Sequence, residues 1–237
     1  KTKAILIVHV LGNCVDMTEL MHIVKRHKLI LIEDTCESLG TKFKNKYLGT
    51  FGDFASFSFY SSHQISSGEG GMICCKNNED HEIIKSLRAH GWSRGLKNER
   101  KIALANKHLD SRFIFYNSGF NLRSTDIAAS IGFSQFKDLD KFIKNRTSNR
   151  IKILRSLKNN KKIQKKVTFI EANNNVKASW FGIPIILTKN INRNKFLKKI
   201  ERIGVETRPI ISGNFLKQPS IKTVSYTHLR AHETSRN

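Results

Sequence analysis

The chain has 237 residues, with 42 Lys/Arg against 19 Asp/Glu and a formal net charge of +23. Apolar residues make up 39%, enough for one large core or two smaller ones, and no apolar run approaches the roughly 18 residues of a membrane span. Nothing at the start reads as a signal peptide, and the four cysteines (Cys14, Cys36, Cys74, Cys75) lack C-x-x-C spacing, so they read as reduced thiols in a cytoplasmic protein without a metal site.

The positive charge is uneven. From residue 146 to 222 there are 19 Lys/Arg and 3 Asp/Glu. No nucleic-acid-binding motif accompanies them, so the excess reads as solvated helix faces, with neither nucleic acid nor membrane as partner.

Residues 4–10 form a short apolar run that predicts a buried parallel strand. Asp16 then caps a helix whose Met17, Leu20, Met21, Ile23 and Val24 share one face. Residues 29–33 are the next buried strand, completing a βαβ unit. Asp34 follows at the carboxyl edge of that strand, where it reads as a loop residue, a helix cap or a ligand group. Residues 42–51 read as a polar loop.

The stretch from Asp53 to Gly71 organises the chain. It starts as a strand with alternating small and aromatic residues and ends in the turn Gly68-Glu69-Gly70-Gly71, where the backbone can bend sharply. Between lie serines and His63, a polar cluster at a strand end and a usual ligand position in an α/β fold. Taken alone, His63 reads more often as a structural histidine than as a functional one.

Residues 72–75 predict a strand and 79–89 a helix. Residues 95–113 read as a long, basic, mobile loop. Ser124 and Thr125 start a helix, which continues as an amphipathic helix over 136–157 through Phe136, Leu139, Phe142 and Ile143. A strand over 180–187 and a helix over 193–203, with Phe196, Leu197 and Ile200 inward and Gly204 as its stop, belong to a second small unit.

Ser58-Phe59-Tyr60-x-x-His63-x-Ile65, followed by Gly68-Glu69-Gly70-Gly71, resembles the active-site strand of the DegT-type nucleotide-sugar aminotransferases. So do Glu33 to Gly40, Leu48 to Asp53, and the spacing of 29 residues from Asp34 to His63. The resemblance runs over about residues 3–222. It implies an α/β fold of fold type I, a pyridoxal-phosphate transferase. Residues 1–145 would be the C-terminal part of a large cofactor-binding domain with a mainly parallel sheet. Residues 146–222 would be an incomplete small α/β domain. Residues 223–237 fit nothing in the family and resemble translated sequencing adapter. The phosphate-cupping turn that normally precedes such a stretch has no match, so the chain is expected to be a fragment, inactive alone.

The resemblance implies roles residue by residue. Asp34 would pair with the pyridinium nitrogen, Glu37 would contact the ring hydroxyl, and Ser58 would contact the cofactor phosphate. Asn121 would reach the phosphate in a neighbouring subunit, which makes the active site a property of a homodimer. Arg208 and Asn214 would contact a nucleotide-sugar. Asn121 reads alternatively as part of a helix-initiating turn, and Arg208 as a surface arginine.

One position departs from the common pattern. Most members have a lysine where His63 stands, and no lysine lies between Lys46 and Lys76. That matches the subgroup of 3-dehydratases acting on nucleotide-linked 4-keto-6-deoxyhexoses in deoxysugar and O-antigen biosynthesis. The implied cofactor is pyridoxamine 5'-phosphate or non-covalently held pyridoxal 5'-phosphate, with His63 as the proton carrier. The absence of cysteine after Cys75 argues for the type without an iron–sulfur cluster, with glutamate as amino donor. The alternatives are a true sugar aminotransferase, which His63 opposes, and a non-catalytic binding or regulatory protein on the same fold.

Overall fold

A computed structural model describes residues 1–223. The adapter-like residues lie outside this range, apart from Thr223. The chain divides into two compact units, one of Lys1–Gln164 with Phe169–Ile185, the other of Lys165–Thr168 with the chain from Ile186 onward.

The first unit is built on a four-stranded sheet in the order β1-β2-β5-β6, from Ala4–Val8, Ile30–Asp34, Phe54–Ser58 and Gly71–Cys75. β1, β2 and β5 are parallel, and β6 runs antiparallel to β5. Helix α1 (Met17–Arg26) makes the β1–β2 crossover, capped by the Asp16 carboxylate, which accepts from the backbone N–H groups of Thr18 and Glu19. Met17 and Val24 bury against Leu31, Cys14, Phe43 and Leu48, with Leu20 and Met21 packed at the margin. Ile23, expected on the same face, is instead 46% exposed. Leu11 and Gly12 follow β1 with positive φ. A Cβ at Gly12 would lie 2.1 Å from the Ser179 carbonyl oxygen, so only glycine fits there.

The expected loop over residues 42–51 is a hairpin instead. β3 (Lys42–Phe43) and β4 (Lys46–Tyr47) pair antiparallel through a turn in which Lys44 and Asn45 both take positive φ. β8 (Val176–Lys177) adds a third strand to β3. Phe43 and Leu48 anchor the hairpin in the α1 core, which explains why a lysine-rich segment is ordered.

Helix α2 (Asn78–Arg88) starts at the Asn77 cap. The segment expected to be a mobile loop over 95–113 contains α3 (Glu99–Ala105) and a 3-10 turn, Ser111–Phe113. Leu96, Ile102 and Ile114 bury together and hold it. α4 (Asp126–Phe136), capped by Thr125, and α5 (Leu139–Lys158) are separate helices, broken at residues 137–138. The expected domain boundary after residue 145 falls inside α5, whose continuous helix belongs wholly to the first unit, as does the single turn α6 (Lys161–Gln164).

Strand β7 (Val167–Phe169) pairs with β9 (Ile185–Leu187). The expected strand over 180–187 therefore shrinks to its last three residues. Helix α7 (Arg193–Arg202) half-buries Phe196, Leu197 and Ile200, and Gly204 ends it with a φ of 82°.

Candidate active site

The parallel strands deliver their carboxyl ends to one edge of the sheet, and the polar residues collect there. β2 and β5 pair so that Asp34 stands opposite Ser56. Asp34 is half-buried, and its Oδ1 accepts from the Cys36 N–H at 3.0 Å and from the Ser56 hydroxyl at 3.3 Å. Oδ2 has no hydrogen-bond partner among the described residues. One carboxylate oxygen is thus fixed and the other is open. Cys36 Sγ lies 3.7 Å from the Ser56 hydroxyl, and burial together with the Asp34 carboxylate pushes its thiol up to about 11, so it stays protonated.

Ser58, the last residue of β5, accepts the Tyr60 N–H at 3.2 Å, which leaves its hydroxyl proton available to a ligand. The chain then turns: the His63 N–H donates to the Tyr60 carbonyl at 3.0 Å. The half-buried His63 ring stands edge-on between Tyr60 (5.8 Å) and Phe181 (5.6 Å). Its Nδ1 is buried without a hydrogen-bond partner. A buried ring nitrogen left unpaired is uncommon and marks a place that a ligand or a transferred proton can complete. Past it, the Ser67 N–H returns to the Phe59 carbonyl and the Phe59 N–H to the Gly70 carbonyl, so the glycine turn is tied to β5.

Glu37 is engaged elsewhere: its Oε2 accepts the Leu11 N–H at 2.8 Å, bracing the loop after β1. Asn121 bridges to Ala89 through the backbone and accepts from Arg123 Nε at 3.2 Å. It shares no hydrogen bond with Asp34, Ser58 or His63 among the described residues. Arg208 is exposed in the second unit, and Asn214 caps the 3-10 turn Phe215–Lys217 there.

The sequence reading missed Glu33, one residue before Asp34. Glu33 is fully buried and accepts from His9 Nε2 (3.1 Å) and from the backbone N–H groups of Gly49 (2.8 Å), Phe51 (2.8 Å) and Gly52 (2.6 Å). Burial favours its neutral form, but those hydrogen bonds outweigh burial and hold the carboxyl below its usual range. It also missed Ser56, although the alternation of β5 puts Ser56 on the same face as Ser58.

A family model, the DegT/DnrJ/EryC1/StrS aminotransferase family, matches residues 1–236. The chain belongs to this family. Among curated members, a GDP-4-keto-6-deoxy-D-mannose 3-dehydratase of Escherichia coli O55:H7 is 36% identical over 231 residues, covering 95% of this chain and 58% of the relative. The solved E. coli GDP-4-keto-6-deoxy-D-mannose 3-dehydratase with bound hydrated PLP superposes with a TM-score of 0.82 at 34% identity, over 94% of this chain and 57% of that one. A solved GDP-4-keto-6-deoxymannose 3-dehydratase with a trapped PLP–glutamate geminal diamine also superposes with a TM-score of 0.82 at 34% identity, over 94% of this chain and 57% of that one. The chain spans little more than half the length of these DegT-family relatives, and its fold is theirs.

Proposed function

We propose that the complete protein carrying this chain is a 3-dehydratase. It removes the C3 hydroxyl, as water, from a nucleotide-linked 4-keto-6-deoxyhexose, using pyridoxamine or pyridoxal 5'-phosphate held without a covalent bond. The observation that carries this reading is His63: an imidazole with an open, buried Nδ1 where the family's common pattern has lysine, in a stretch without lysine from residue 47 to 75. The residues present fit the cofactor. Asp34 offers one free carboxylate oxygen beside a fixed one, and Ser58 offers a free hydroxyl proton.

When bound, the group supplies an electron sink. Asp34 Oδ2 would hold the proton on the ring nitrogen, while Ser56 and the Cys36 N–H keep the carboxylate aimed. Ser58 would donate to the phosphate. His63 would accept and return a proton at an imidazole nitrogen, a task that suits histidine, which titrates near neutrality as a residue type. Tyr60 and Phe181 fix the plane of its ring. Histidine also forms no stable covalent link to an aldehyde, so the cofactor stays free for the substrate.

The relatives support the substrate and donor classes, a nucleotide-sugar and glutamate. Arg208 and Asn214 are the proposed nucleotide-sugar contacts, Glu37 remains a proposed neighbour of the ring, and Asn121 a proposed phosphate contact across a homodimer. The apolar face around α4 supports that dimer: Ile127 is 75%, Phe133 67% and Leu122 68% exposed. No helix among the described residues is long and apolar enough to cross a membrane.

Borohydride treatment of the cofactor-loaded complete protein, followed by mass spectrometry, tests the reading. The expected result is no covalent cofactor adduct. An adduct on any lysine would instead support a transaminase.

A further inference from the structure

Asp34 and His63 leave the sheet from different strands. The β2–β5 register sets Asp34 opposite Ser56 and ends there, short of the turn that carries the imidazole. Among the described residues, one hydrogen-bonding side chain crosses from the turn over residues 60–67 to the loop after β2, and it is the neighbour of His63. Gln64 is 4% exposed, and its Nε2 donates to the Glu37 carbonyl at 2.5 Å and to the Ser179 carbonyl at 3.3 Å. Both facing groups are carbonyl oxygens, which only accept, so the amide nitrogen has to be the atom turned toward them.

The two carbonyls belong to segments that matter to His63. Glu37 lies in the loop that follows Asp34. Ser179 lies two residues before Phe181, whose ring stands edge-on to the imidazole. That segment is itself fastened: the Ser179 N–H donates to the Thr41 hydroxyl and that hydroxyl to the Gly12 carbonyl, both at 2.9 Å, and the Phe181 N–H donates to the Leu11 carbonyl at 3.1 Å. On its other side the turn is braced by α4, where Gln135 Oε1 accepts the Ser66 N–H at 2.9 Å. Gln64 Oε1 is buried without a partner. An apolar side chain would fill the same space without stranding a buried acceptor, so packing alone does not account for an amide here. What the amide adds is a tie between two loops. The imidazole beside it is oriented: Nδ1 is buried, whereas Nε2 is not and makes no hydrogen bond among the described residues.

We propose that Gln64 is a positioning residue for His63. Its amide ties the imidazole turn to the loop after Asp34 and to the segment bearing Phe181, and so holds Nε2 toward the open side as the working nitrogen. The proposal rests on the reading of His63 as proton carrier. A proton carrier has to stay within hydrogen-bond reach of the reacting atom, and a displacement of about 1 Å costs much of the rate. Asp34 and His63 serve one ligand from two strands, so a tie between their loops fixes their mutual geometry. Gln64 acts through the ring of His63.

Two variants test it in the complete protein. Gln64→Met keeps the length of the side chain and removes the amide; Gln64→Asn keeps an amide too short to reach both carbonyls. The first readout is the His63 ring Cε1–H signal in the NMR spectrum of the cofactor-free protein, assigned by its loss in His63→Asn. Wild type should give one sharp signal, and both variants should broaden or split it. The second readout is dehydration, in which the variants should lose about tenfold or more in kcat, with KM and cofactor affinity held within about twofold. Circular dichroism verifies folding. A Gln64 that serves only the fold would lower the urea midpoint and leave the ring signal and kcat unchanged, which overturns the proposal. A broadened or split His63 signal in wild type also overturns it, and that reading needs no variant to fold. The ring signal is recorded without substrate, so it decides the tie even if the complete protein does not dehydrate, a failure that would fall on the proposed function alone.

Discussion

The two faces of β2 carry neighbouring carboxylates with opposite fates. Because side chains alternate along a strand, Glu33 points with Leu31 toward the α1 core, and Asp34 points with Ile32 the other way. Glu33 is fully buried and has four donors, which bind the loop after β4 and His9 into the core. Asp34 is half-buried with one oxygen held and one open. Burial alone would single out Glu33 as the perturbed group, yet its hydrogen-bonding capacity is already spent on the fold. The group able to do chemistry is the one whose surroundings orient it and leave it incomplete. His63 follows the same rule, with an oriented ring and an unpaired buried nitrogen.

This contrast can be broken most forcefully at Glu33. Glu33→Ala leaves His9 and three backbone N–H groups without their acceptor, and a cost of about 3–5 kcal/mol is expected. Urea unfolding measures it. A loss under about 1 kcal/mol would mean that Glu33 is not the tie between hairpin and core.

Asp34→Asn should do the reverse. It keeps the shape and a carbonyl acceptor for Ser56 and the Cys36 N–H, so the urea midpoint should shift by less than about 1 kcal/mol. Dehydration by the complete protein should nevertheless fall strongly, because a neutral amide cannot hold the ring-nitrogen proton. A fold loss as large as that of Glu33→Ala would erase the distinction between the two carboxylates.

A smaller effect separates them by pH. The folded Glu33 carboxyl titrates below its usual range, so in acid the folded state binds fewer protons than the unfolded chain. Its contribution is complete above the ordinary glutamate pKa of about 4.3 and is lost as pH falls through the lower folded value. Glu33→Gln should therefore flatten the acid limb of stability against pH and leave the neutral limb parallel to wild type. An unchanged acid limb would assign the acid sensitivity to other groups.

The sequence made the polar edge of the sheet legible because its signals are local. The apolar runs of β1 and β2, the Asp16 cap and the glycine turn each act within a few residues. What escaped it depends on distant partners. The hairpin at residues 42–47 consists of two-residue strands in lysine-rich sequence, ordered by Phe43 and Leu48 in a core supplied by α1. Helix α3 lies in a basic stretch and holds through Ile102 against Leu96 and Ile114. Glu33 shows nothing in the sequence to set it apart from Asp34, since its role rests on N–H groups 16 to 19 residues away. Ser56 was readable from strand alternation, but its link to Asp34 needs the β2–β5 register.

The most direct measurement concerns His63. The assay is loss of the C3 hydroxyl from a nucleotide-linked 4-keto-6-deoxyhexose by the complete protein, with glutamate present. His63→Asn keeps a polar side chain in the same space but cannot carry the proton. The account expects cofactor binding to persist while the rate drops by about 10²–10⁴. Dehydration at the wild-type rate would show that His63 is not the proton carrier and would contradict the account.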